Sequence, residues 1–98
     1  MNVRIESVHF KTDEKLIAYI ENKLSKLDKY FDKIIDAHVI LKLENSGKVK
    51  DKVIEVRLAI PGNDIFASET QKTFESATDI VTDTLKRLLI KRKEKMRA

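Results

Sequence analysis

The 98-residue chain has no cysteine and no tryptophan, one proline and two glycines. Without cysteine it can form neither a disulfide nor a thiolate metal site. Gly47 and Gly62 are too few and too far apart to make a glycine-rich loop that cradles a nucleotide phosphate. No apolar run approaches the ~18 residues of a membrane span. The opening Met1-Asn2-Val3-Arg4-Ile5-Glu6 carries charges where a secretory leader needs an apolar stretch. A soluble, cytoplasmic protein with no membrane partner is therefore expected. His9 and His38 have no third metal ligand at a recognisable spacing, and the 16 acidic residues are dispersed, mostly beside lysines. No nucleophile elbow or paired acid–base arrangement occurs. Enzymatic activity, a cofactor and a small-molecule substrate are accordingly not expected.

The patterning that is present describes one small α+β domain over residues 1–98. Val3, Ile5 and Ser7 alternate with polar neighbours as a short strand with one covered face. Thr12 is placed to cap a helix, with Asp13 and Glu14 at its positive end. Leu16, Ile17, Ile20, Leu24, Leu27 and Phe31 then recur at three- and four-residue steps, predicting an amphipathic helix to about Tyr30. Ala37, Val39, Leu41 and Leu43 predict a second strand, followed by turn chemistry at Asn45-Ser46-Gly47-Lys48. Ile54, Val56, Leu58 and Ile60 predict a third strand, closed by Pro61-Gly62-Asn63-Asp64. Ile65 to Ser68 reads as a short fourth strand. Ser68-Glu69-Thr70-Gln71 has capping-box spacing, and Phe74, Ala77, Val81, Leu85 and Leu88 carry a last helix from about Thr70 to Lys95. The order β-α-β-β-β-α is satisfied by a four-stranded sheet with both helices packed on one face.

Charge is concentrated at one end. Residues 1–85 carry 13 Lys/Arg against 15 Asp/Glu, whereas residues 86–98 carry seven basic residues and only Glu94. One or two lysines would complement a helix dipole; seven in thirteen residues make a local field suited to a polyanion. Each cation placed on a phosphate releases counterions and drives binding without reading sequence. Arg87, Arg92 and Arg97 can also grip phosphate through two hydrogen bonds or stack on bases. The lysines of the first helix are interleaved with Glu21, Asp28 and Asp32, a pattern that by itself describes a salt-bridged surface. They gain meaning for RNA if the fold sets the two helices side by side. Tyr30 and Phe31 follow the apolar stripe, so at least Phe31 is expected in the core. No aromatic pair on a strand forms a base-stacking platform.

Lys23-Leu24-Ser25-Lys26-Leu27-Asp28-Lys29-Tyr30-Phe31-Asp32-Lys33-Ile34, His38-Val39-Ile40-Leu41-Lys42-Leu43-Glu44 and Thr84-Leu85-Lys86-Arg87-Leu88-Leu89-Ile90-Lys91-Arg92-Lys93-Glu94-Lys95 together, and in this order, resemble the bacterial ribosome hibernation promoting factor family, which includes the ribosome-associated inhibitor A type. The resemblance spans essentially the whole chain. It implies a fold similar to double-stranded-RNA-binding domains, and a partner in the ribosomal RNA of the small subunit. There it implies occupancy of the channel used by messenger and transfer RNA, with translation blocked sterically. By position, it assigns RNA contacts to Lys23, Lys26, Lys29 and Lys33 on the first helix, and to Arg87, Lys91, Arg92, Lys93 and Lys95 on the second. It also implies a short form, monomeric off the ribosome, without the dimerisation domain of longer members. Three departures stand out. Val8-His9-Phe10 occurs where members often have a glycine. Thr73-Phe74-Glu75-Ser76-Ala77-Thr78-Asp79 stands where Asp-x-Tyr-Ala-Ala-Ile-Asp is common, and Leu88 stands at a glutamine position. Two other readings remain beside this one: a general double-stranded-RNA-binding domain, and a protein-interaction module that docks its basic helix on an acidic partner.

Overall fold

Alternating burial on the strands and a three-to-four-residue stripe on the helices settle into a two-layer arrangement. The computed structural model describes residues 1–44 and 51–97, with side chains described up to Met96. The elements are β1 (Asn2–Ser7), α1 (Glu14–Ser25), β2 (Asp36–Leu43), β3 (Lys52–Ala59), β4 (Ile65–Gln71) and α2 (Phe74–Arg97), with a 3-10 turn over Lys26–Lys29 after α1. The sheet order is β1-β2-β3-β4. β1 runs parallel to β2, with Val3 opposite Ala37; the other two pairings are antiparallel. A parallel pair needs a crossover connection, and α1 supplies it.

The core lies between the sheet and both helices. Ala37, Val39 and Leu41 of β2, Ile54, Val56 and Leu58 of β3, and Ile65 and Ala67 of β4 face Leu16, Ile20 and Leu24 of α1 and Phe74, Ala77, Val81, Leu85 and Leu89 of α2. The turn between α1 and β2 adds Leu27, Phe31 and Ile34. Phe10 stacks on Phe74 with ring centroids 5.5 Å apart, closing one end of the layer. Burial of this contiguous apolar set is the main driving force for the fold.

Five local expectations are corrected. The first helix ends at Ser25 rather than Tyr30. There the Ser25 hydroxyl donates to the Asn22 carbonyl, and the chain tightens to three residues per turn, which stacks Leu27 under Leu24. The N-cap is Asp13, whose carboxylate accepts from the Lys15 and Leu16 amides; the Thr12 hydroxyl is buried without a partner among the described residues. The Ser68–Gln71 tetrad belongs to β4, where Gln71 pairs with Lys52. The last helix starts instead at Phe74, with the Ser76 amide donating to the Thr73 hydroxyl at 3.1 Å. Full-length pairing with β3 prevails over a local cap. Leu43 and Leu88, both expected on covered faces, are 48% and 37% exposed, and Leu89 is buried where Leu88 was expected. The expected turn at Asn45–Lys48 lies outside the described residues.

α2 has 24 residues, about 36 Å at the α-helical rise, in a molecule 47 Å long and 24 by 18 Å across. Past Leu89 its described side chains are exposed, apart from a half-buried Arg92. The final turns extend beyond the core as expected from the fading apolar stripe.

Candidate nucleic-acid interface

Leu24 of α1 and Leu85 of α2 both point into the core, so the two helices lie side by side on the sheet and leave a groove between their outer flanks. Lys23, Lys26, Leu27, Tyr30, Asp79, Thr82, Asp83 and Lys86 line it. On α2, Asp79, Asp83 and Lys86 fall at steps of four and three, which places them along one side of the helix. Lys93 continues that side two turns on from Lys86.

Two lysines in the groove have no carboxylate within ion-pair distance among the described residues: Lys26 and Lys86. The Lys86 ammonium sits 4.8 Å from the centroid of the Tyr30 ring, a cation–π contact that fixes its position. Lys23 differs, since its ammonium is 3.2 Å from the Asp79 carboxylate. The Tyr19 hydroxyl donates to the same carboxylate. That bond holds the Asp79 carboxyl below the usual carboxylate range, with Lys23 adding to the effect against the opposing influence of burial. The reverse side of the same bond raises the Tyr19 hydroxyl above its ordinary value. One turn along, Arg87 lies 3.6 Å from Asp83.

The remaining sequence-predicted cations fall in three places. Lys29 is exposed in the 3-10 turn and Lys33 in the connection to β2. Once α1 stops at Ser25, neither keeps the helical spacing that would carry it into the groove. Lys91, Arg92 and Lys95 border a hollow with Ile65 and Leu88 on the opposite flank of α2, beside β4. Arg92 donates to the Asn63 carbonyl at 3.0 Å, across a turn in which Gly62 has φ +94°. A β-carbon at position 62 would lie 3.7 Å from the Arg92 guanidinium, an ordinary contact, so it is the left-handed turn and not the approach of the arginine that favours glycine there. Lys93 is exposed on the groove side of the overhang. The helical layer thus offers a groove rich in cations and a second basic ridge along β4, and not one uniform patch.

Sequence reasoning counted Lys86 in the basic run but did not assign it to the site; it passed over Tyr19, Asp79 and Asp83. The signal was available in the spacing of Asp79, Asp83 and Lys86. Its meaning depended on which side of α2 faces α1, and packing decides that. On the far face of the sheet, Phe66 is 52% exposed and lies opposite Arg57, with no second exposed aromatic beside it. His38 is on the same face, its Nε2 3.2 Å from Glu6. Among the described residues no three His or acidic side chains gather as a metal site, and no helix is long and apolar enough to cross a membrane.

Comparison with known proteins agrees with this architecture. The ribosomal subunit interface protein of Coxiella burnetii superposes with a TM-score of 0.85 at 22% identity, covering 96% of this chain and 99% of that one. The N-terminal domain of protein Y from Thermus thermophilus gives a TM-score of 0.81 at 25% identity, covering 93% and 98%. In sequence, the ribosome hibernation promoting factor of Pseudomonas putida is 36% identical over 98 residues, covering 100% of this chain and 92% of the relative. Residues 3–97 match the profile described as Sigma 54 modulation protein / S30EA ribosomal protein, and the chain belongs to that family.

Proposed function

We propose that this chain is a ribosome hibernation factor that binds the small ribosomal subunit through ribosomal RNA and blocks translation by occupying the channel for messenger and transfer RNA. No chemical step is involved; the block is steric. The observation that carries the reading is the groove between α1 and α2, where Lys26 and Lys86 stand without carboxylate partners among the described residues, in a fold shared with ribosome-associated relatives. Phosphates laid along the groove meet Lys23, Lys26 and Lys86. The ridge of Lys91, Arg92 and Lys95 and the cations Arg87 and Lys93 extend the contact along α2. Lys29 and Lys33 would add contacts from the exposed turn after α1. The overhang allows α2 to reach RNA that the body of the domain does not touch. A factor acting on ribosomes works in the cytoplasm.

Co-sedimentation with isolated subunits, using naked duplex RNA as competitor, tests the proposal. Saturable one-to-one binding to the small subunit that resists competitor is expected, together with inhibition of translation in a reconstituted system. Loss of binding to the competitor would instead support a general duplex-binding domain, and binding to neither would support a protein partner. Reversing Arg87, Lys91, Arg92 and Lys93 to Glu should abolish subunit binding while leaving the fold intact, since these side chains lie outside the core.

A further inference from the structure

An RNA-binding groove gains nothing in raw affinity from carboxylates, yet this one holds two. Asp79 and Asp83 lie one turn apart on the α1-facing side of α2. Each pairs with a cation otherwise placed for phosphate: Asp79 with Lys23 at 3.2 Å and Asp83 with Arg87 at 3.6 Å. All four side chains are at least one-third exposed, so these pairs contribute little to stability. A stabilising role therefore does not account for them. A carboxylate next to an incoming phosphate repels it, and specificity commonly depends on such repulsive elements.

We propose that Asp79 and Asp83 are specificity-determining residues that suppress binding to generic phosphate-dense RNA. This deepens the function proposed above and rests on RNA binding by the helical layer. A regular duplex that follows the groove brings phosphates against both carboxylates and must displace them from Lys23 and Arg87. A folded target avoids that conflict by placing its phosphates on Lys26 and Lys86 and turning hydrogen-bond donors toward the aspartates. The ribose 2′-hydroxyl and exocyclic base amines are donors of that kind, and ribosomal RNA presents both. The carboxylates thus accept from the right target and repel the wrong one. Asp79 is held ready for this by the Tyr19 hydroxyl, which fixes its orientation without altering its charge.

The test compares affinities of Asp79→Asn, Asp83→Asn and the double variant for naked duplex RNA and for isolated small subunits. Tyr19→Phe serves as a control that loosens the network without changing charge. Each neutralised carboxylate should tighten duplex binding by about fivefold at 0.15 M salt, with the salt slope steeper by about one unit. Small-subunit binding should stay level or weaken, so the ratio favouring the subunit falls. Among the described residues the one ion pair of Asp83 is with Arg87, and both side chains are exposed, so Asp83→Asn should leave the fold intact and keeps the test sound if Asp79→Asn is less stable. Duplex affinity unchanged in both single variants overturns the proposal. So does an equal gain on duplex and subunit, a gain of the same size from Tyr19→Phe, or a double variant that binds no duplex even at low salt. Failure of the wild type to bind small subunits would instead overturn the hibernation reading, and the duplex measurements would still judge the aspartates.

Discussion

Tyr19 on α1 donates its phenolic hydrogen to Asp79 on α2, joining helices whose contacting residues are 60 positions apart in sequence. With the Lys23 ion pair at 3.2 Å, this network is the polar connection between the outer flanks of the helices. Beneath it, Leu24 and Leu85 are both fully buried in the shared core.

Removing the hydroxyl with Tyr19→Phe should lower stability by about 1 kcal/mol or less, since the bond is solvent-screened. The Asp79 carboxyl is depressed in the folded state, so its contribution is present above its unfolded value near 3.8. That contribution is lost as pH falls through the folded value below. The difference in urea midpoint between wild type and Tyr19→Phe should therefore be constant near neutrality and vanish under strong acid.

Binding should be strongly salt-dependent if the groove and ridge meet phosphate. About six contacts imply a log–log slope near −5 on a duplex-like target. Neutralising Lys26 and Lys86 together should reduce that slope by about two units and weaken binding, as measured by titration across a salt series. A flat salt response would exclude phosphate recognition.

His9 has φ +66°, a left-handed conformation that costs a side-chain-bearing residue about 1–2 kcal/mol. His9→Gly should raise unfolding stability by about 0.5–1 kcal/mol after the added freedom of the unfolded chain is counted. His9→Val should lower it by more than about 1 kcal/mol, because β-branching makes that conformation a true outlier. Equilibrium denaturation of the three proteins, with unchanged m-values, checks both signs.

The end of the core on α2 should be sharp. Leu89 is fully buried and Ile90 is 37% exposed. Leu89→Ala should cost about 2–5 kcal/mol, and Ile90→Ala about 0.5 kcal/mol, by the same measurement.

Most of the core was legible because it depends on period alone. Leu16, Ile17, Ile20, Leu24, Leu27 and Phe31 read as one stripe, and all but the half-buried Ile17 are in the core. The alternations of Ala37, Val39 and Leu41 and of Ile54, Val56 and Leu58 were equally plain, and they face the helices as read. What could not be read locally were the outcomes of competition. Ser68–Gln71 satisfied a capping pattern, yet partner residues on β3 claimed it for the sheet. Thr12 and Asp13 are both good caps, and only the path of the chain selects Asp13. Val8-His9-Phe10 was visible as a departure where a glycine is common; that the backbone cost falls on His9 became visible only with its φ angle. The basic residues of α2 were countable from sequence. Their division into a groove and a ridge required knowing that α1 flanks one side of α2 and β4 the other.

The order in which this sheet can be assembled follows from the parallel seating of β1. The strands β2, β3 and β4 pair with their immediate neighbours in the chain, and such short loops close at little entropic cost. β1 has no such neighbour: Asn2 must find Asp36 and Ser7 must find Leu41, with α1 laid across the sheet between them. The meander with α2 can therefore condense first, and β1 adds to its edge afterwards, so its amides should be among the earliest to exchange with solvent. During synthesis β1 emerges before β2, its partner in the sheet, and it becomes the last part of the sheet to be held.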